Sequence, residues 1–176
     1  MLTLALALVA IVATGWVFAP PAKRLAPVPP PGHFLAKGQA LFAAPLKPLG
    51  AAHFQLQTLR GKPVVAYFWP SWCTACAAEA QALQGLQMQH RDNGLVVLGL
   101  GIDQADALQR FKRTHGLEFP VFAGGQAAID LSKKMGNLRE GMPFVVAVDR
   151  QGQAVASHLG TFGPLTAQEM VMAALK

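Results

Sequence analysis

The chain has 176 residues, enough for one domain with a leader, and its formal charge of +6 comes from 15 Lys and Arg against 9 Asp and Glu. Its basic residues run no longer than the pairs Lys23-Arg24, Lys112-Arg113 and Lys133-Lys134, a scatter that argues against a nucleic-acid footprint, which would gather them on one element. Both of the two cysteines in the chain lie in Cys73-x-x-Cys76, so neither a framework of structural disulfides nor a four-thiolate zinc site can be built from it.

Residues 1–19 carry no charged side chain and are dominated by Leu, Ala and Val, which suits a bilayer-crossing anchor or a secretory signal. Cleavage after Ala19 would leave Pro20 and Pro21 at the new N-terminus, an unfavourable site, while Trp16 and Phe18 suit a membrane interface. An uncleaved single-pass anchor is therefore expected, with a cleaved signal peptide as the alternative. Lys23 and Arg24 follow the apolar run and no Lys or Arg precedes it, the reverse of what the positive-inside tendency asks of an exported domain. Residues 20–35 form a Pro-rich linker. Proline supports neither helix nor ladder, and at roughly 3.1 Å per residue the stretch 20–32 reaches about 40 Å.

The remainder, 36–176, is expected to be one domain. It begins with an irregular lead-in holding one short helical piece at 36–43. Alternation of apolar and polar residues predicts a strand at 53–59, and Arg60-Gly61-Lys62-Pro63 turns the chain into a continuously apolar strand at 64–69. After the break at Pro70-Ser71 a helix is predicted from Thr74 to about His90, with Leu83 and Leu86 towards the core and Gln81, Gln84 and Gln87 towards water. The run 95–102, apolar on both faces with Gly99 and Gly101 inside it, reads as a central strand parallel to 64–69.

A second helix should start at Asp103 or Gln104 and end near His115-Gly116. A strand at 119–123, a helix at 126–135, a strand at 144–148, a hairpin turn at 149–152 and a strand at 154–159 follow. The closing helix is predicted over 166–175, with Thr166 as N-cap and Glu169 at capping-box spacing. These elements give an α/β domain: a central mixed β-sheet flanked by helices on both faces, with an N-terminal β-hairpin extension.

The cysteines sit where an apolar strand passes into a helix. At a helix N-terminus, unpaired N–H groups and the helix dipole favour the thiolate over the thiol, so Cys73 can be a nucleophile near neutral pH. Two intervening residues let Cys76 close a disulfide with it, and the pair can switch between dithiol and disulfide. Covalent haem attachment would need His after the second Cys, where Ala77 stands. Of the five histidines, His90 and His115 end predicted helices and His33 and His53 lie in the lead-in. His158 could join the cysteines around a metal only if the closing strand faced the motif. No metal ligand is assigned and no cofactor is expected.

In Phe54-Gln55-Leu56, Leu59-Arg60-Gly61-Lys62-Pro63, Trp72-Cys73-Thr74-Ala75-Cys76, Gly141-Met142-Pro143-Phe144 and Val148-Asp149-Arg150-Gln151-Gly152, the chain resembles the thioredoxin superfamily. More narrowly it resembles the TlpA and ResA-like membrane-anchored thiol-disulfide oxidoreductases, over about residues 50–176. The resemblance implies a thioredoxin-like fold in which Cys73 attacks a substrate disulfide and Cys76 resolves the mixed disulfide. It also implies that Trp72 shields the pair and that Met142-Pro143 is a cis peptide packed against it, the Met142 backbone binding an extended substrate. Thioredoxins carry a buried Asp on the strand before the motif; Tyr67 stands at that position here. Glu79, three residues after Cys76 as in the Cys-x-x-Cys-x-x-Glu of ResA-like proteins, is the candidate to take the Cys76 proton.

The function implied is reduction of disulfides in client proteins, for example in cytochrome c or copper-oxidase maturation. Electrons would come from a membrane-embedded thiol donor, and the domain would lie in the periplasm, anchored to the bacterial inner membrane by residues 1–19. A monomer is expected, with no nucleic-acid partner. Disulfide oxidation or isomerisation would use the same residues. From another class, a metallochaperone-type module would hold Cu(I) on the same two thiolates. A peroxide-reducing site would need Pro-x-x-x-Thr-x-x-Cys, which the residues before Cys73 do not supply.

Overall fold

The computed structural model describes residues 38–50 and 54–176. The expected anchor at 1–19 and the Pro-rich linker at 20–35 lie outside the described residues. Among the described residues no helix is long and apolar enough to cross a membrane.

Among the described residues, five α-helices and six strands follow one another as α1 (Gln39–Phe42), β1 (Lys47–Pro48), β2 (Val64–Trp69), α2 (Cys76–Gln89), β3 (Val96–Gly101), α3 (Ala105–Thr114), β4 (Val121–Ala123), α4 (Gly125–Lys134), β5 (Phe144–Val148), β6 (Ala154–Leu159) and α5 (Pro164–Leu175). The sheet order is β1-β4-β3-β2-β5-β6. Strands β2, β3 and β4 run parallel to one another, while β5 pairs antiparallel with both β2 and β6. The mixed sheet is as the sequence implies.

Every residue of β2 is buried, because the strand is central and both of its faces are covered. Val65, Tyr67 and Trp69 pack against Ala80 and Leu83 of α2, Leu108 and Phe111 of α3, and Ala167 and Val171 of α5. Val64, Ala66 and Phe68 face the other way, onto Leu41 and Phe42 of α1 and Leu131 of α4. Gly99 in β3 faces the first of these layers, where a Cβ would stand 2.6 Å from the Trp69 ring and 2.9 Å from Phe119. The missing side chain makes room for the indole.

Several expectations need correction. The described part of the predicted strand 53–59 is not a strand: Leu56–Leu59 is a 3-10 turn whose Leu56 and Leu59 are buried. The N-terminal hairpin is thus replaced by a two-residue edge strand, β1, which pairs antiparallel with the far strand β4 through Lys47 opposite Ala123. Helix α5 begins at Pro164 with Gly163 as its N-cap, and among the described residues no side chain caps it, so Thr166 lies inside the first turn. Proline at the start of a helix loses no hydrogen bond that the helix would otherwise make.

The α2 glutamines do not simply face water. Gln84 accepts from the Glu118 N–H at 2.6 Å and donates to the Gly116 carbonyl at 3.1 Å, and Gln87 accepts from the Val97 N–H at 2.6 Å. Gln81 reaches the His115 carbonyl at 3.4 Å. They satisfy backbone groups at the margins of β3 and of the turn after α3.

Candidate active site

Strand β2 ends at Trp69, and the chain turns through Pro70, Ser71 and Trp72 to the cysteines. The Cys73 N–H donates to the Pro70 carbonyl at 3.2 Å, and the Cys76 N–H to the Cys73 carbonyl at 3.2 Å. Helix α2 starts at Cys76, later than the predicted Thr74, and Cys73 lies in the turn that leads into it. The carboxylate of Asp103, in the turn after β3, accepts from the Ser71 N–H and so ties that turn to the motif.

Cys73 and Cys76 are joined in a disulfide, their Cα atoms 5.3 Å apart. Cys76 is fully buried whereas Cys73 is half-buried, and Trp72 beside it is 76% exposed. A reacting partner therefore meets Cys73 first.

The Met142–Pro143 peptide is cis. Phe68 pairs with Phe144 in the β2–β5 ladder, which brings the two residues before Phe144 to the same end of the sheet as the cysteines. Met142 is partly buried against the α1/α4 layer, and the Pro143 carbonyl accepts from the Gly160 N–H at 2.9 Å. Sequence positions some distance apart thus converge at one end of the sheet.

Glu79 is 3% exposed. Its Oε2 accepts from the Tyr67 hydroxyl at 2.5 Å and its Oε1 from the Phe162 N–H at 2.9 Å. A buried carboxylate needs donors on its oxygens, and these two come from β2 and from the turn before α5. The Tyr67 hydroxyl also lies 3.5 Å from the Cys76 carbonyl. Burial pushes the Tyr67 hydroxyl far above its ordinary titration range, and the hydrogen bond to Glu79 and its charge push the same way. It stays a donor throughout the ordinary pH range. Glu79 also lines a cavity of ≈ 400 Å³ with Ala75, Ala78, Phe162, Gly163 and Pro164.

The sequence marks Tyr67 only as a missing acid, Asp103 only as a possible helix start and Ser71 only as part of a break, and it gives Phe162 no role. Their bonds use backbone N–H groups or span long stretches of chain, 83 residues between Phe162 and Glu79, so no local motif announces them. His158 does not join the cysteines: its ring packs edge-on against Phe162 with centroids 6.0 Å apart, and its Nε2 is 3.3 Å from the Thr161 carbonyl.

The model of the AhpC/TSA family matches residues 38–167. The chain belongs to the AhpC/TSA family. It is 31% identical over 109 residues to the thiol-disulfide oxidoreductase ResA of Bacillus thuringiensis (strain Al Hakam), a match taking in 60% of this chain and 60% of that protein. The AhpC/TSA chain thus covers less than two thirds of the length of this relative. It is 28% identical over 143 residues to the thioredoxin-like protein YneN of Bacillus subtilis (strain 168), covering 77% of each. Among solved structures, a thiol:disulfide interchange protein of the thioredoxin family from Chlorobium tepidum TLS superposes with a TM-score of 0.64 at 21% identity, over 76% of this chain and 95% of that one. The fold is thioredoxin-like, as the sequence resemblance implied.

Proposed function

We propose that the protein is a thiol-disulfide oxidoreductase that reduces disulfides of client proteins through Cys73 and Cys76. The observation that carries this reading is the unequal exposure of the pair: Cys73 half-buried beside the exposed Trp72, Cys76 fully buried behind it. The name of the ResA relative supports it. In the dithiol state the Cys73 thiolate attacks one sulfur of a client disulfide, forming a bond to it and expelling the other client sulfur as thiolate. Cys76 loses its proton and its sulfur attacks Cys73 Sγ, closing the intramolecular disulfide and expelling the second client sulfur. Two electrons pass from the pair to the client, whose thiolates take up two protons. An external dithiol then restores the pair.

Glu79 is the proposed acceptor of the Cys76 proton, held in place by Tyr67 and Phe162. The cavity it lines offers the proton a way to water. Trp72, Met142 and Pro143 form the client-binding surface, with the Met142 backbone pairing to an extended client segment. Residues 1–19 anchor the domain on the periplasmic side of a bacterial inner membrane, and 20–35 space it from the bilayer. A membrane-embedded thiol carrier supplies electrons, the clients include cysteines of cytochrome c or copper-oxidase maturation, and the protein acts as a monomer.

The test is catalysed reduction of insulin by the full-length chain with dithiothreitol as terminal reductant. Cys73→Ser is expected to abolish catalysis, and Cys76→Ser to accumulate a mixed disulfide with the client. Catalysis that survives Cys73→Ser would overturn the proposal.

A further inference from the structure

Between α4 and the Met142–Pro143 step lies a loop, 135–141, that carries a buried polar side chain, Asn137. Asn137 is 2% exposed. Its Nδ2 donates to the Gly141 carbonyl at 2.9 Å and lies 3.2 Å from Ser132 Oγ. Ser132 is itself fully buried and its hydroxyl donates to the Ile129 carbonyl at 2.8 Å. The Asn137 backbone is engaged as well: its N–H donates to the Ser132 carbonyl at 2.9 Å, and its carbonyl accepts from the Glu140 N–H at 3.2 Å. The loop is thus strapped to the last turns of α4 at one end and to Gly141 at the other.

The Gly141 carbonyl and the Met142 N–H belong to a single planar peptide unit, so an amide that holds the carbonyl also sets the direction of that N–H. We infer that Asn137 is a positioning residue for client binding: it fixes the peptide plane through which Met142 would pair with an extended client. The inference rests on the client-binding role proposed above for Met142.

Three further observations fit a positional task. The Gly141 carbonyl can only accept, which settles which end of the Asn137 amide faces it. The other end, Oδ1, is buried with no partner among the described residues, an arrangement that lowers stability and would not be chosen for stability alone. Glu140 has φ 55, in the left-handed region that a non-glycine residue holds only when its surroundings enforce it, and Lys133 pairs with its carboxylate at 2.9 Å. The loop is held in one shape from several sides, with Asn137 inside and the ion pair outside.

The experiment compares the full-length parent with Asn137→Ala and Asn137→Ser, measuring KM and kcat for insulin reduction alongside the rate of exchange with dithiothreitol alone. Dithiothreitol is too small to pair with Met142 and reports the cysteines and the fold. Loss of a hydrogen bond's worth of client positioning should raise KM for insulin about fivefold with kcat unchanged. Exchange with dithiothreitol should stay at the parent rate.

An unchanged KM in folded variants overturns the inference and leaves the proposed function standing, as does a parallel fall of both reactions, which would make Asn137 merely structural. A parent chain that does not reduce insulin overturns the functional reading and this inference with it. A measurement free of any substitution keeps the idea falsifiable if the variants do not fold. Backbone 15N relaxation in the parent should give Met142 an order parameter of about 0.85, and a value below about 0.6 would overturn the clamp.

Discussion

The hydroxyl of Tyr67, inside a fully buried central strand, donates to the carboxylate of Glu79 on the first turns of α2 at 2.5 Å. Where thioredoxins place an acid on the strand, this chain places the donor on the strand and the acid on the helix. The same hydroxyl lies 3.5 Å from the Cys76 carbonyl, so it stands between the Glu79 carboxylate and the backbone of the buried cysteine.

Tyr67→Phe should remove one of the two donors on a buried carboxylate and leave the ring packing intact. The expected loss is about 1.5–3 kcal/mol, the range for hydrogen bonds to charged groups. Urea unfolding of the parent and the variant measures it. Equal midpoints and slopes would show that the bond contributes nothing to the folded state.

Tyr67 is the single tyrosine of the chain, which makes its titration directly visible. Burial raises the folded-state value above that of the unfolded chain, so the stabilising contribution is fully present below the ordinary tyrosine value of about 10 and is lost as pH rises above it. Absorbance near 295 nm should show no tyrosinate until the protein unfolds in alkali. Phenolate appearing near pH 10 in the folded protein would contradict the buried bond to Glu79.

If Glu79 takes the Cys76 proton, Glu79→Gln should slow the resolving step about a hundredfold, at the lower end of what general base catalysis contributes. The initial attack by Cys73 is spared. The variant is expected to accumulate the mixed disulfide with insulin in a gel under non-reducing conditions. Parent-like turnover would remove Glu79 from the mechanism.

Gly99→Ala sets a methyl group against the Trp69 ring, itself buried and stacked on Tyr67 with centroids 5.3 Å apart. Overpacking of this kind is expected to destabilise by about 1–3 kcal/mol. Thermal unfolding reports it, while exchange with dithiothreitol in the folded fraction stays at the parent rate.

What could be read from the sequence was what is local. The strand Val64–Trp69 is apolar at every position and the motif follows it directly, so strand, turn and helix were legible from neighbouring residues. The stretch 54–59 was not, because Phe54 and Leu56 fit an alternating strand while Leu56 and Leu59 fit a helical turn equally well. The glutamines of α2 looked solvent-facing because the backbone groups they satisfy belong to other elements. Pairing of Glu79 with Tyr67 depends on the phase of α2 against the sheet, which no spacing in the sequence states. Asn137 gave no signal, since a lone Asn before Leu-Arg-Glu-Gly reads as an ordinary turn residue.

The central claim is that Cys73 and Cys76 form a reducing couple, and the equilibrium reduction potential of the full-length protein in thiol-disulfide buffers tests it most directly. A potential near thioredoxin's, about −270 mV, is predicted, and each 30 mV or so corresponds to a tenfold change in the exchange equilibrium. A value near about −120 mV would make the pair an oxidant and contradict the account.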